Sequence, residues 1–150
     1  MTTVFDVPAK ELIDEVAKKL ASDDTIELPE ANVYSKTSVA RENPPENEDW
    51  WYARCASILR KIYINNGIGI EQLKAEYGGK RDKGSKPSKA RSGSGTVTRR
   101  AVQQLEKAGY LTKIRGKGRV MTPKGRSFMD NASKEVLNQV KDQYPELQKY

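Results

Sequence analysis

The sequence predicts a mainly α-helical winged-helix fold, a helix-turn-helix variant with a small β-hairpin wing, extended by extra N- and C-terminal helices. Three observations support this prediction. Apolar residues recur at helical spacing in several stretches of the 150-residue chain. A Gly-Lys-Gly turn lies between two alternating segments, YLTKI and RVMT, which is typical of a β-hairpin. A short strand, a small helix, a longer helix and this hairpin also follow one another in the order of a winged helix.

The first third of the chain is predicted to contain one helix and an irregular connection. Asp6 is a suitable N-cap and apolar residues recur on one face behind it, so a helix is predicted from Asp6 to about Ala21. Residues 22–49 are rich in acidic residues, Pro, Asn and Ser, which predicts an irregular segment with short extended pieces around residues 25–28 and 32–34.

A long amphipathic helix, predicted over Glu48–Asn65, is expected to lie at the centre of the fold. Asn47 is its expected N-cap, and its apolar residues fall within an arc of about 100°. A short strand at Ile68–Ile70 and a small helix at Glu71–Tyr77 are predicted to follow, and Gly78-Gly79 closes that helix.

The next segment is basic and rich in Gly and Ser, a composition that cannot bury a core. We therefore predict a flexible loop at about residues 80–95, mobile in the free protein. Thr96 or Thr98 is expected to cap the following helix, which runs to about Ala108. After the hairpin, Thr122 with Pro123 is predicted to open a final helix that ends before Pro145.

Residue content excludes several classes of protein. The chain has no histidine and one cysteine, which excludes imidazole catalysis, a His-containing metal site and an internal disulfide. The N-terminus lacks the basic start and apolar run of a signal peptide, and no stretch approaches the roughly 18 apolar residues of a membrane span. We therefore expect a soluble, cytoplasmic, non-enzymatic protein that uses neither cofactor nor metal.

Charge is divided unevenly along the chain. Residues 1–50 contain 5 bases and 12 acids, residues 51–126 contain 19 and 4, and residues 127–150 contain 3 and 4, within a total net charge of +7. A middle section with an excess of 15 bases is typical of a surface that binds nucleic acid. The alternative is a solvated face. A membrane surface is disfavoured because the bases do not lie on one long amphipathic helix.

Candidate nucleic-acid contacts lie on the basic loop, on the polar side of the helix that follows it and on the hairpin tip. Arg and Gln side chains on such a helix bind phosphates or base edges, while the wing reaches a neighbouring phosphate strand. These candidates are Lys80, Arg81, Lys83, Lys86, Lys89, Arg91, Arg99, Arg100, Gln103, Lys107, Arg115 and Lys117. The alternative is a wing that contacts only protein.

Three residues of the central helix invite a chemical interpretation. Cys55 lies among apolar neighbours without a partner base, so it is predicted to be a core residue rather than a nucleophile. Trp51 lies on the apolar arc. Trp50 lies on the basic side, where it either packs under the N-terminal segment or stacks on a base or an Arg.

Three stretches of this chain, taken together, resemble one known family. They are EDWWYARCASILRKIYINNGIGIEQLKAEYGG, TVTRRAVQQLEKAGYLTK with the basic loop before it, and GRVMTPKGRSFMD. They are similar to the archaeal and eukaryotic small-subunit ribosomal protein nineteen-e family, and the resemblance covers nearly the whole chain.

This resemblance implies a winged-helix-like structural protein in the head of the small ribosomal subunit, with 3′-domain ribosomal RNA (rRNA) and neighbouring ribosomal proteins as partners and a role in subunit maturation. It implies rRNA contacts, or support for them, by Arg54, Arg60, Lys61, Lys80, Arg81, Lys89, Arg91, Arg99 and Arg100. Residues 1–150 would form a single RNA-binding domain, monomeric when free. The alternative is a DNA-binding transcriptional regulator, but such proteins usually dimerise, and only the final helix offers an apolar face for a dimer.

Overall fold

The computed structural model describes residues 1–149, which form five α-helices and two antiparallel β-hairpins in the order α1, α2, α3, β1, β2, α4, β3, β4, α5. Helix α1 spans Ala9–Ala21 and buries Leu12, Val16 and Leu20. The predicted start at Asp6 is wrong. Asp6 ends a separate 3₁₀ turn, where its carboxylate accepts hydrogen bonds from the backbone N–H (2.7 Å) and hydroxyl (3.0 Å) of Thr3.

The segment between α1 and α2 lacks helical or strand periodicity, as predicted, but it is held firmly to the rest of the molecule. Ile26 and Asn32 are each only 2% exposed, and Glu30–Asn32 forms a 3₁₀ turn in place of one predicted extended piece. Thr37 and Ser38 are also buried, and Ser38 forms a β-bridge with Gly93. The segment is therefore part of the folded structure.

Helix α2 spans Trp50–Asn65 and is the central helix, in contact with α1, α4, α5 and β4. It begins two residues later than predicted, because Asn47 accepts a hydrogen bond from the backbone of Asp49 (3.1 Å) in a turn that precedes the helix. Asn66, in the left-handed region at φ 54°, ends the helix. The predicted apolar arc is confirmed, and its fully buried members include Cys55, whose thiol pKa is raised by burial to about 12.

Helix α3 spans Ile70–Glu76 and, with α4, forms the helix-turn-helix. The strand predicted at Ile68–Ile70 is reduced to one bridge, in which Ile68 exchanges two backbone hydrogen bonds with Arg119 of the wing (3.1 and 2.9 Å). Gly118, at φ 80°, makes this approach feasible, because a Cβ there would lie 2.6 Å from the carbonyl oxygen of Ile68.

The basic segment is not wholly irregular. Strands β1 (Gly79–Arg81) and β2 (Lys89–Arg91) pair as a short antiparallel hairpin, and all of their residues are exposed. Backbone bonds anchor its base, since Gly93 donates to the carbonyl of Lys74 (2.8 Å) and Ser94 donates to that of Thr37 (2.8 Å). A hairpin of exposed charged residues has no apolar alternation, so the sequence pattern did not predict it.

Helix α4 spans Gly95–Lys107. Ser94 is its N-cap, with its hydroxyl accepting from the backbone N–H of Val97 (3.3 Å), so the predicted caps Thr96 and Thr98 are wrong. Thr98 is buried and donates its hydroxyl to the carbonyl of Ser94 (3.0 Å).

The C-terminal prediction is confirmed. Strands β3 (Leu111–Ile114) and β4 (Gly118–Met121) form the wing, and α5 spans Pro123–Val140 with Thr122 as its N-cap. Apolar side chains from all five helices and from the base of the wing form one buried cluster. The structure is therefore the mainly α-helical winged helix that the sequence predicts.

Candidate nucleic-acid interface

The outward side of α4 carries a narrow stripe of exposed polar residues. Arg99, Gln103 and Lys107 are all exposed and recur every four residues, so their directions span only about 80° around the helix. We call these three residues the α4 stripe. It was predicted from the helical period, and its guanidinium, amide and ammonium groups suit phosphate and base-edge contacts.

One flank of the α4 stripe is covered by residues 27–32 of the segment between α1 and α2, which we call the N-terminal segment. Arg100 donates from Nη1 to Oδ1 of the buried Asn32 (2.5 Å). Gln104 donates from Nε2 to the carbonyl of Glu27 (2.8 Å), while its Oε1 accepts from Nε1 of Trp51 (2.9 Å). Arg100, predicted as an RNA contact, is therefore placed as an anchor between the N-terminal segment and α4.

The opposite flank of the α4 stripe is held to the wing. Arg119 on β4 donates from Nε to Oε1 of Glu106 (2.5 Å), and the side chain of Arg119 is only 15% exposed. Arg115 and Lys117, at the tip of the wing, are exposed and extend beyond this ion pair. The wing thus has a charge-neutralised base and a basic tip.

Two of the three predicted basic residues of α2, Arg54 and Lys61, contact the end of α3 and are partly engaged within the protein. The guanidinium of Arg54 stacks on the ring of Tyr77 at 4.1 Å, and burial lowers the pKa of Arg54, although arginine remains charged at neutral pH. Lys61 forms an ion pair with Glu76 (2.8 Å). Arg60 is half-buried, and its Nε makes no hydrogen bond within residues 1–149. Arg54 and Lys61 therefore make contacts within the protein and add little unpaired charge to the exposed basic surface.

The β1–β2 hairpin presents the densest basic cluster. Six candidates lie on it; Lys83 is half-buried and the others are exposed, and none forms an ion pair within the described residues. Arg81 and Lys89 lie directly opposite each other in the strand register, where like charges repel in the absence of an anion. The six are Lys80, Arg81, Lys83, Lys86, Lys89 and Arg91.

The basic groups meet at α4. The β1–β2 hairpin leads directly into the N-terminus of α4, and the wing follows directly from its C-terminus, so α4, a helix about 20 Å long, connects two hairpins that carry exposed basic residues. The N-terminus of α4 adds its own partial positive charge. This arrangement suits a polyanion that lies along the helix.

Comparison with known proteins shows the family of this chain. The family model described as Ribosomal protein S19e matches residues 3–139. The chain belongs to the ribosomal protein S19e family. The resemblance found in the sequence is thereby confirmed.

The relatives match over essentially their full length. "Small ribosomal subunit protein eS19" of Thermoplasma acidophilum is 45% identical over 150 residues, which is 100% of this chain and 99% of the relative. The protein of the same name from Aeropyrum pernix is 42% identical over 152 residues, with the same coverage. That of Entamoeba histolytica is 40% identical over 138 residues, 92% of this chain and 88% of the relative.

The chain also carries surface residues that the sequence interpretation passed over. Residues 31–41 contain Lys36 and Arg41 and no acid, between Glu30 and Glu42, although the surrounding segment is acidic. Tyr34, in the middle of this stretch, is 89% exposed. A finer division of the charge profile would have found this stretch, because the average over residues 1–50 concealed it.

Trp50 lies where the packing alternative placed it. It is partly buried against the core, its ring meets that of Trp51 edge to face (5.5 Å between centroids), and it lines a cleft with Thr37 and residues 40–46. None of the helices described in residues 1–149 is long and apolar enough to cross a membrane.

Proposed function

We propose that this protein is a structural component of the head of the small ribosomal subunit, that it binds 3′-domain rRNA, and that it supports subunit maturation. The family is one of ribosomal proteins, and the relatives are named as proteins of the small subunit. Both observations support a location on ribosomes in the cytoplasm and a non-enzymatic role. Neighbouring ribosomal proteins are the second class of partner. The observation that carries the RNA-binding proposal is the exposed α4 stripe, on a helix that connects two hairpins with exposed basic residues.

Affinity comes mainly from phosphate neutralisation in this proposal. Exposed bases on the β1–β2 hairpin, the α4 stripe and the wing tip displace counterions from RNA, so binding weakens as salt is raised. The repulsion between Arg81 and Lys89 is relieved when a phosphate lies between them. The hairpin therefore becomes more stable on RNA than alone, which offsets the entropy of ordering its connecting residues 82–88.

The same geometry disfavours the DNA-regulator alternative. A helix with side chains is about 10–12 Å across and nearly fills the major groove of B-DNA, about 12 Å wide. Here residues 27–32 are hydrogen-bonded along one flank of α4, in addition to the wing on the other, so they would meet the DNA backbone as α4 entered the groove. Double-stranded RNA is contacted across its wide, shallow minor groove and its backbone, which suits a helix with only a narrow exposed stripe.

The experiment that tests this proposal compares three ligands: 3′-domain rRNA from the small subunit, duplex RNA and duplex DNA of matched length. Binding is measured by fluorescence anisotropy at several salt concentrations, and co-sedimentation with small subunits is measured in parallel. We expect the rRNA to bind most tightly, with a steep fall in affinity as salt rises. Equal affinity for duplex DNA, or a flat salt response, would contradict the proposal.

A matched pair of variants locates the surface. Lys80 is exposed on β1 opposite Ala90, and Lys10 is exposed on α1 in the acidic third of the chain. We expect Lys80→Glu to weaken rRNA binding and co-sedimentation, while Lys10→Glu, with the same change of charge, leaves both near wild type. Equal losses in the two variants would show that net charge, and not this surface, determines binding.

A further inference from the structure

The stretch at residues 31–41 lies along the first turns of α4, next to the proposed RNA surface. At one end of it, Asn32 accepts the hydrogen bond from Arg100. At the other end, the carbonyl of Thr37 accepts from the backbone N–H of Ser94, the N-cap of α4, and Ser38 bridges Gly93. Residue 32 and residues 37–38 are thus held to α4 or to the residues just before it, and residues 33–36 between them are confined to its side.

Tyr34 lies between these two attachments and has a ring with no structural role. It is two residues from Asn32, which is no more than about 7–8 Å along the chain. The side chain is 89% exposed, and within residues 1–149 its ring stacks on no aromatic group or cation and its hydroxyl makes no hydrogen bond. An exposed aromatic ring on a firmly held turn adds little to the fold and is available for a contact with another molecule, a use for which tyrosine is enriched at interfaces.

The surroundings of Tyr34 identify the chemistry of that contact. Lys36 and Arg41 are exposed on the same stretch, and Arg99 is exposed on the adjacent turn of α4. A nucleic-acid strand whose phosphates contact these basic side chains has its unpaired nucleobases close to the ring. Aromatic rings bind unpaired bases by stacking, with little dependence on sequence, because every base has a π-face.

We propose that Tyr34 is a stacking platform for an unpaired base of a bound RNA, with the nearby Lys36 neutralising a phosphate beside that base. This inference rests on the proposed RNA-binding function and adds single-stranded or looped RNA as the ligand of this part of the surface. The turn is already ordered before binding, so the ring loses little conformational freedom on stacking.

The first test compares Tyr34→Ala, Tyr34→Phe and the neighbouring control Val33→Ala, in the full chain, against 3′-domain rRNA. Loss of one stacked base predicts roughly 5- to 150-fold weaker binding by Tyr34→Ala, with the salt dependence unchanged because no charge is lost. Tyr34→Phe keeps the ring and should bind like wild type. Val33 is also exposed, at 44%, and its truncation should have no effect.

The second test locates the contact directly. An RNA with 5-iodouridine at its unpaired positions is irradiated in complex with the protein, and the cross-linked peptides are identified after trypsin digestion. Cleavage after Lys19 and Lys36 releases residues 20–36, a peptide in which Tyr34 is the only aromatic residue. We expect a cross-link on this peptide with unpaired positions and none with a fully duplex RNA of the same length.

The outcomes separate this inference from the function on which it rests. If wild type binds rRNA with a steep salt dependence but Tyr34→Ala binds equally well and residues 20–36 are not cross-linked, the stacking proposal is wrong and the RNA-binding proposal stands. If wild type fails to bind rRNA at all, the RNA-binding proposal itself is wrong. Weaker binding by both Tyr34→Ala and Tyr34→Phe would point to the hydroxyl and would overturn stacking as the mechanism.

Discussion

Two adjacent arginines of α4 are expected to respond to substitution in opposite ways. Arg99 is exposed on the α4 stripe, whereas Arg100 is partly buried and bonded to Asn32 at 2.5 Å. Replacing either arginine with Ala removes one positive charge from the protein. They differ in whether the side chain is presented to a ligand or used inside the fold.

The magnitudes follow from these environments. Arg99→Ala removes an exposed side chain, so the free energy of unfolding should change by less than about 0.5 kcal/mol. Loss of one phosphate contact should reduce the slope of log affinity against log salt by about 0.7 to 0.9. Arg100→Ala leaves Oδ1 of the buried Asn32 without its charged donor, which costs about 1–3 kcal/mol. For a chain of this size, that corresponds to a fall in Tm of roughly 2–12 °C.

Two measurements check this prediction, thermal unfolding followed by circular dichroism and rRNA binding at a series of salt concentrations. We expect Arg99→Ala to melt like wild type with a shallower salt slope. Arg100→Ala should melt earlier, and its salt slope should stay close to wild type at a temperature where it is fully folded. If both variants melt alike and lose the same slope, Arg100 is an RNA contact and its assignment as an anchor is refuted.

Three further predictions concern the hairpin, the cap of α4 and the core. Lys89→Glu converts the repulsion with Arg81 into an attraction, so we expect slower amide hydrogen exchange in the β1–β2 hairpin and weaker rRNA binding. Faster exchange would contradict the strand register. Ser94→Ala should lower the free energy of unfolding by about 1 kcal/mol in a denaturant titration, whereas Thr96→Ala should not; the reverse order would restore Thr96 as the cap. The Cys55 thiol, with its pKa raised to about 12, should resist alkylation at pH 8 until the protein unfolds; rapid reaction of the folded protein would contradict its burial.

Local signals account for the parts of the fold that were predicted correctly. Thr122 followed by Pro123 marks the start of α5, and the Gly-Lys-Gly turn marks the wing, because the residues that form each feature are neighbours in sequence. The cap of α4 was misassigned for the opposite reason. Ser94, Thr96 and Thr98 are all good caps, and the backbone bond from Ser94 to the distant Thr37 helps fix where the chain enters the helix.

The candidate site divides in the same way. Helical periodicity was enough to predict the α4 stripe, but it does not distinguish the exposed Arg99 from Arg100, the next residue, which is hydrogen-bonded within the protein. That separation depends on Asn32, 68 residues away, just as the orientation of Gln104 depends on Glu27, 77 residues away. Contacts over such distances follow from the packed structure, and the single sequence has no pattern that reports them.

The acidic first third gives the proposed interface a direction. Buried residues of this segment hold it against the body of the fold, while many of its acids remain exposed, among them Glu27 and Glu30 on one side of Tyr34 and Glu42 and Glu46 on the other. Carboxylates repel phosphate, so in the proposed complex the flanking acids steer RNA toward the acid-free stretch at residues 31–41 and the exposed α4 stripe. Attraction by the basic hairpin and wing brings the RNA to the protein, and repulsion by the flanking acids disfavours the wrong orientation. In the proposed complex, the uneven charge of the chain therefore affects how RNA is oriented on α4 as well as how strongly it binds.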